Sequence, residues 1–189
     1  MMNNFEIEIK LPVSSLEEIK EKLILKGFQE GASIRESDMY YNSEYHDVKK
    51  LGEALRIRKS TELLTGQTQA QLNFKGKKID QVSMSRQEYE TAVENPECME
   101  KILIALGFSP VAGVQKTRCY MKRDEMTACL DQVDGLGSFL ELEVIAAEES
   151  MREAYLQRME SVLTELGLSM KDTVRTSYLS MLCGENETK

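Results

Sequence analysis

Along FEIEIKL, residues 5–11, apolar and charged side chains alternate. Phe5, Ile7, Ile9 and Leu11 fall on one side of an extended chain, with Glu6, Glu8 and Lys10 on the other. The same period of two recurs in ASIRESDMYYN (32–42), EALRIRKS (53–60), TQAQLNFKG (68–76), SMSRQEYETAV (83–93), GVQKTRCYMKRD (113–124), MTACLDQVD (126–134) and SFLELEVI (138–145), which predicts eight strands in all. Helical signals separate them. SSLEEIKEKLILKGF (14–28) carries Ser15 and Glu18 in capping-box spacing and ends at Gly27. NPECMEKILIALGF (95–108) has Pro96 in its first turn and Gly107 at its end. SMREAYLQRMESVLTELGL (150–168) spaces Met151, Tyr155, Met159, Val162, Leu163 and Leu166 on one helical face and stops at Gly167. DTVRTSYLSML (172–182) predicts a last helix packed by Tyr178, Leu179 and Leu182. SEYHDVKKLG (43–52) and the lysine-rich GKKIDQ (76–81) read as polar loops.

A weak repeat organises these elements. Glu-x-Glu occurs within three strands, at Glu6/Glu8, Glu88/Glu90 and Glu141/Glu143, and each strand is followed by a helix ending in Gly-Phe or Gly-Leu. Strand–helix–strand units around a common centre predict a closed or nearly closed antiparallel sheet. The helices would cover the apolar faces of the strands from one side. The polar faces then gather on the other: Glu6, Glu8 and Lys10; Arg56 and Arg58; Gln69, Gln71, Asn73 and Lys75; Arg86, Glu88 and Glu90; Lys116 and Arg118; Glu141 and Glu143. In a flat sheet these would be a solvated surface. In an eight-stranded barrel they line a charged interior.

The residue types favour the barrel. Arginine forks suit phosphate oxygens and lysine adds a point charge. Carboxylates paired at i, i+2 suit a hard cation such as Mg²⁺ or Mn²⁺. Seven candidate cations (Lys10, Arg56, Arg58, Lys75, Arg86, Lys116, Arg118) face five candidate metal ligands (Glu6, Glu8, Asp131, Glu141, Glu143). Such a lumen would bind a metal-complexed polyphosphate; mutual salt bridging with no ligand is the plainer alternative.

Composition narrows the class. The 189 residues, 41% hydrophobic and 30% charged, suit one globular domain spanning 1–189. The net charge of −8 argues against nonspecific nucleic-acid binding, so a basic site has to be local. No apolar run suggests a membrane span, and the start shows no signal-peptide pattern. Cys98, Cys119, Cys129 and Cys183 lack CxxC spacing and His46 is the single histidine, which argues against a zinc site and for reduced thiols in a cytoplasmic setting. Three of the four cysteines are expected in the core.

In order along the chain, EIEIK, LRIR, NFKG, RQEYE, KTR, CLDQVDGLGSFLELE and SYLSML resemble the CYTH superfamily, the triphosphate tunnel metalloenzymes, which includes class IV adenylate cyclases, thiamine triphosphatases and inorganic triphosphatases. The resemblance implies an α+β fold: an eight-stranded antiparallel β-barrel, the triphosphate tunnel, with helices packed outside. It implies an acidic metal-binding set of Glu6, Glu8, Asp131, Glu141 and Glu143 for Mg²⁺ or Mn²⁺. It implies a triphosphate-binding set of Lys10, Arg56, Arg58, Lys75, Lys116 and Arg118, joined by Arg86, with Lys10 and Glu143 catalytic. Glu88 and Glu90 fall in or beside the family's RxExE strand without a firm role. Asp134 reads as a turn residue, and Tyr40, Tyr41 and Tyr120 as packing. The expected partner is a small-molecule triphosphate (tripolyphosphate, ATP or thiamine triphosphate), with no nucleic acid or membrane, and a homodimer left open. The characterised cyclases share a His-Phe pair before ExExK where this sequence has MMNN, so the expected reaction is hydrolysis. Class IV adenylate cyclase chemistry is the alternative, and a noncatalytic polyphosphate or nucleotide sensor the second.

Overall fold

The computed structural model describes residues 5–77 and 86–184. Eight strands appear: β1 (Phe5–Pro12), β2 (Gln29–Ser43), β3 (Ala54–Glu62), β4 (Thr68–Lys75), β5 (Arg86–Ala92), β6 (Phe108–Arg123), β7 (Met126–Val133) and β8 (Gly137–Ala146). They close into an antiparallel barrel in the order β1-β5-β4-β3-β2-β6-β7-β8. Four α-helices accompany them: α1 (Leu16–Leu25), α2 (Pro96–Ala105), α3 (Arg152–Leu166) and α4 (Tyr178–Leu182). The strand–helix–strand repeat is therefore real in space: α1 joins β1 to β2, α2 joins β5 to β6, and α3 follows β8.

The apolar alternation decides which side each strand shows to the helices. Ile7, Ile9 and Leu11 of β1, Ala128 and Leu130 of β7, and Leu140, Leu142 and Val144 of β8 meet Ile19 and Leu23 of α1 and Met159, Leu163 and Leu166 of α3 in one buried cluster. Tyr41, Leu55 and Ile57 meet Leu103 of α2 in a second. Local signals stop the helices where they should. The Ser15 hydroxyl accepts from Glu18 N at 3.3 Å and Asn95 accepts from Cys98 N at 2.8 Å. Gly167, at φ 79°, turns the chain out of α3 as only glycine does without strain.

Three elements differ from the sequence expectation. β2 and β6 are longer, because Gly31 and Pro110–Gly113 read as chain breaks yet sit at bulges in one long ribbon, with register shifts at Glu30/Ser33 and Tyr40/Tyr41. The last helix is shorter. Residues 173–177 are not helical, Val174 N donating to the Lys10 carbonyl at 2.7 Å, and the Ser177 side chain caps α4. α4 also departs from an all-outside arrangement, since Tyr178 reaches the lumen wall. Residues 78–81 of the GKKIDQ loop and 83–85 of the expected fifth strand lie outside the described residues. Of the cysteines only Cys129 is buried, on the lumen face of β7 opposite Glu141; Cys119 is half-buried, and Cys98 and Cys183 are exposed.

Candidate functional site

Register carries the site. Across neighbouring strands, inward-facing charges stand opposite one another: Lys10 and Glu141, Arg118 and Asp131, Glu36 and Lys116, Asp38 and Arg58, Lys75 and Glu88, Glu6 and Arg86. Each facing pair is of opposite sign and stabilises the sheet. Among the described residues of the lumen one facing pair is of like sign, Glu8 opposite Glu143.

These side chains line a cavity of about 980 Å³. On the β1/β8/β7/β6 wall, Lys10 Nζ lies 3.0 Å from Glu141 and 3.5 Å from Glu8. Arg118 forks onto Asp131 at 2.6 Å and also pairs with Glu141, and Lys116 reaches Asp131 at 2.8 Å. On the β2/β3 wall, Arg58 forks onto Asp38 at 2.7 and 2.8 Å and reaches Glu36 at 3.1 Å, while Arg56 donates to Asp38 at 3.2 Å. Lys116, 3.4 Å from Glu36, joins the two walls. On the third wall Lys75 pairs with Glu6 and, at 3.2 Å, with Glu88, and Glu90 accepts from Asn73 and Gln71.

The structure therefore brings together every residue expected at the site, but not in one role. Asp131, expected among the metal ligands, is fully buried behind the cavity wall, and its oxygens accept from Lys116, Arg118 and the Tyr178 hydroxyl. In this arrangement it orients cations. Glu36 and Asp38 stand outside the expected set, although they repeat the i, i+2 carboxylate spacing seen elsewhere: Glu36-Ser37-Asp38 is not spelled Glu-x-Glu but has the same geometry. With them, nine carboxylates (Glu6, Glu8, Glu36, Asp38, Glu88, Glu90, Asp131, Glu141, Glu143) stand in or just behind the cavity wall against seven cations among the described inward-facing strand residues, where the sequence candidates set seven cations against five metal ligands. Tyr40 and Tyr120 are also not simple packing residues: Arg56 donates to the Tyr40 hydroxyl at 3.3 Å and the Tyr120 hydroxyl donates to Glu36 at 3.2 Å. Tyr41 alone of the three packs outward, in the core under α2. Asp134 accepts from Arg35 on the surface, as a turn residue would.

Electrostatics separate two kinds of carboxylate. Burial works against the charge of Asp38, but Arg56 and Arg58 overcome it and hold its carboxyl well below the usual range. Burial is likewise overcome at Glu36 by Arg58 and Lys116, and at Glu141 by Lys10 and Arg118, so both are held low. Glu8 and Glu143 go the other way. Burial and Glu141 push Glu8 up against the pull of Lys10. Burial, with repulsion from Glu6, Glu141 and Glu8, pushes Glu143 up to about 7 despite Arg118. Among the described residues Glu143 has no hydrogen-bond or ion-pair partner. Two facing, under-compensated carboxylates are a donor set that suits a hard divalent cation. Among the described residues no group of three or more His, Cys, Asp or Glu stands ready to hold an ion alone. That fits a cation held by one or two carboxylates together with water and substrate phosphate.

The CYTH domain matches residues 4–178. The chain belongs to the CYTH domain family. A relative from Methanocaldococcus jannaschii, named "Putative adenylate cyclase MJ0240", is 33% identical to this CYTH chain over 176 residues, covering 93% of it and 97% of the relative. The solved structure of PH1819 protein from Pyrococcus horikoshii superposes with a TM-score of 0.86 at 33% identity, covering 95% of this chain and 98% of that one. HpAC1 from Hippeastrum shares the fold with a TM-score of 0.67 at 19% identity, each chain covered to 97%. No helix of this CYTH chain, among the described residues, is long and apolar enough to cross a membrane.

Proposed function

We propose that this CYTH protein hydrolyses the terminal phosphoryl group of a triphosphate with the help of a divalent cation, Mg²⁺ or Mn²⁺. The observation that carries the reading is the Glu8–Glu143 pair, the single like-charged facing pair among the described residues of a lumen whose other facing charges are matched. A cation placed there relieves the repulsion, and with carboxylates already in excess, a polyanion has to enter together with cations. When bound, the cation would neutralise developing charge on the phosphate oxygens.

The chain's own residues do the rest. Arg56, Arg58, Lys75, Arg86, Lys116 and Arg118 grip phosphate oxygens from several strands of the wall, exchanging carboxylate partners of similar geometry for phosphate. Arg56 Nε, buried and without a hydrogen-bond partner, offers a further donor. Lys10, between Glu8 and Glu141, places a positive charge beside the cation site. Glu8 and Glu143 would hold the cation, while Glu6 and Glu141 nearby are paired with Lys75 and with Lys10 and Arg118. In the reaction, a water oxygen bonds to the terminal phosphorus and the bridging P–O bond breaks. Pyrophosphate (or a nucleoside diphosphate) leaves, and the water's proton passes to the phosphate products or solvent. Hydrolysis asks for no groups beyond these phosphate and cation ligands.

A second reading, cyclisation of ATP to cAMP and pyrophosphate, is favoured by the name of the Methanocaldococcus relative. HpAC1, also named for cyclase activity, is described as having a dominant triphosphatase activity, so one fold accommodates either name. The products from ATP with Mg²⁺ or Mn²⁺ separate the two: ADP and phosphate support hydrolysis, whereas cAMP and pyrophosphate as the main products replace it with cyclisation.

A further inference from the structure

Among the described residues Tyr178 is the one aromatic side chain from outside the barrel that touches three lumen groups. Its hydroxyl donates to Asp131 Oδ2 at 3.0 Å. The Lys10 ammonium stands 4.0 Å from its ring centroid and the Lys116 ammonium 5.2 Å. Burial, together with Glu141 and Asp131, pushes its phenol far up, so the hydroxyl stays protonated and keeps donating.

The residue is itself firmly seated. Phe139 meets its ring edge-on at 5.0 Å, and Val114 and Val133, which point inward by register, complete a buried cluster around it. Two residues of the same segment fix the approach: Val174 N bonds to the carbonyl of Lys10, the very residue whose ammonium lies over the ring, and Ser177 caps α4.

We propose that Tyr178 is a positioning residue of the site: its ring aims the Lys10 ammonium and its hydroxyl steadies Asp131, which in turn orients Lys116 and Arg118. An ammonium on a flexible four-carbon stem has three donors. At Lys10, Glu141 and Glu8 take two directions, and the negative face of the ring occupies another. Asp131 collects donors from Lys116 and Arg118, and the phenol is the neutral fourth contact that holds the carboxylate in its plane. The C-terminal segment thus belongs to the phosphate-handling machinery and not only to the core.

Phenylalanine and leucine dissect the two contacts, because phenylalanine keeps the ring without the hydroxyl and leucine keeps neither. The kinetic arm rests on the triphosphatase reading above. With tripolyphosphate and Mg²⁺, Tyr178→Phe should hold kcat within about twofold and raise KM several-fold, while Tyr178→Leu should lower kcat by about tenfold or more. A purely structural Tyr178 would instead lower the melting temperature in both variants and leave kcat and KM alone, and that result overturns the proposal. So does an equal fall of kcat in both.

A second arm needs no turnover. In nitrogen-edited proton NMR the Lys10 ammonium, shifted by the ring beneath it, should keep its position in Tyr178→Phe and move in Tyr178→Leu, with Tyr178→Met as the replacement if leucine prevents folding. A Lys10 signal unmoved by loss of the ring overturns the positioning role whatever the substrate. A wild type inert towards tripolyphosphate, with Lys10 moving as expected, counts against the triphosphatase reading alone and supports this one.

Discussion

At the scale of single residues, Glu143 and Arg58 make opposite demands on a substitution. Glu143 is a carboxylate facing another carboxylate, so its amide removes repulsion while leaving the shape unchanged. Glu143→Gln should therefore lose turnover yet melt, without added metal, at the same temperature as the wild type or higher. A variant that keeps its activity would remove Glu143 from the cation site. Arg58 is held as a fork by Asp38 and reaches Glu36 as well. Arg58→Lys keeps the charge but loses the fork, and should cost on the order of 2 kcal/mol of transition-state stabilisation in kcat/KM. Unchanged kcat/KM would show that Arg58 is a structural ion-pair partner only. What the sequence revealed at this scale was chemistry by type. Every arginine and lysine named from alternation lines the cavity, as does each glutamate. Tyr178 lies in SYLSML, a stretch that resembles the family, but its pattern gave it only a packing role, because a tyrosine among Leu179 and Leu182 on a short helix looks like any packing residue; its partners Lys10 and Asp131 lie far away in sequence and meet it only in the closed barrel.

At the scale of elements, β2 is a strand longer than the sequence suggests and the one on which acid stability turns. Its length was hidden by Gly31 within it and by Pro110 and Gly113 on its partner β6, residues that punctuate most chains but here sit at bulges. Gly113 leaves room for a close approach there: a Cβ would stand 3.3 Å from the Asp38 carbonyl oxygen. Its carboxylates escaped notice because Glu36-Ser37-Asp38 breaks the Glu-x-Glu spelling and not the geometry. Both are buried and their folded pKa values lie below the unfolded ones, after Arg56, Arg58 and Lys116 have overcome the cost of burial. The stability that they contribute is therefore complete above the unfolded carboxylate pKa of about 4 and is lost as pH falls through the folded values. Asp38→Asn leaves Arg56 and Arg58 without their shared counter-ion and should destabilise the protein by about 3 kcal/mol at neutral pH. The gap in melting temperature between wild type and variant should shrink as pH falls from 6 towards 3, and a gap constant across that range would contradict the pairing.

At the scale of the whole molecule, the barrel and its helices were legible because alternation and capping are local, whereas the neighbour order was not. β5 pairs with β1, and so brings Arg86 opposite Glu6, only through closure. The balance of charge was hidden with Glu36 and Asp38: the sequence candidates set seven cations against five metal ligands, and with β2 in place carboxylates exceed cations among the described inward-facing strand residues. The consequence is that anion and cation should stabilise this CYTH protein together. The measurement that bears most directly on its function is phosphorus NMR of tripolyphosphate incubated with the protein, with Mg²⁺ and with EDTA. The expected result is conversion to pyrophosphate and phosphate in equal amounts with Mg²⁺, and none in EDTA. Tripolyphosphate left intact with Mg²⁺, or cleaved equally well in EDTA, would contradict a cation-assisted triphosphatase.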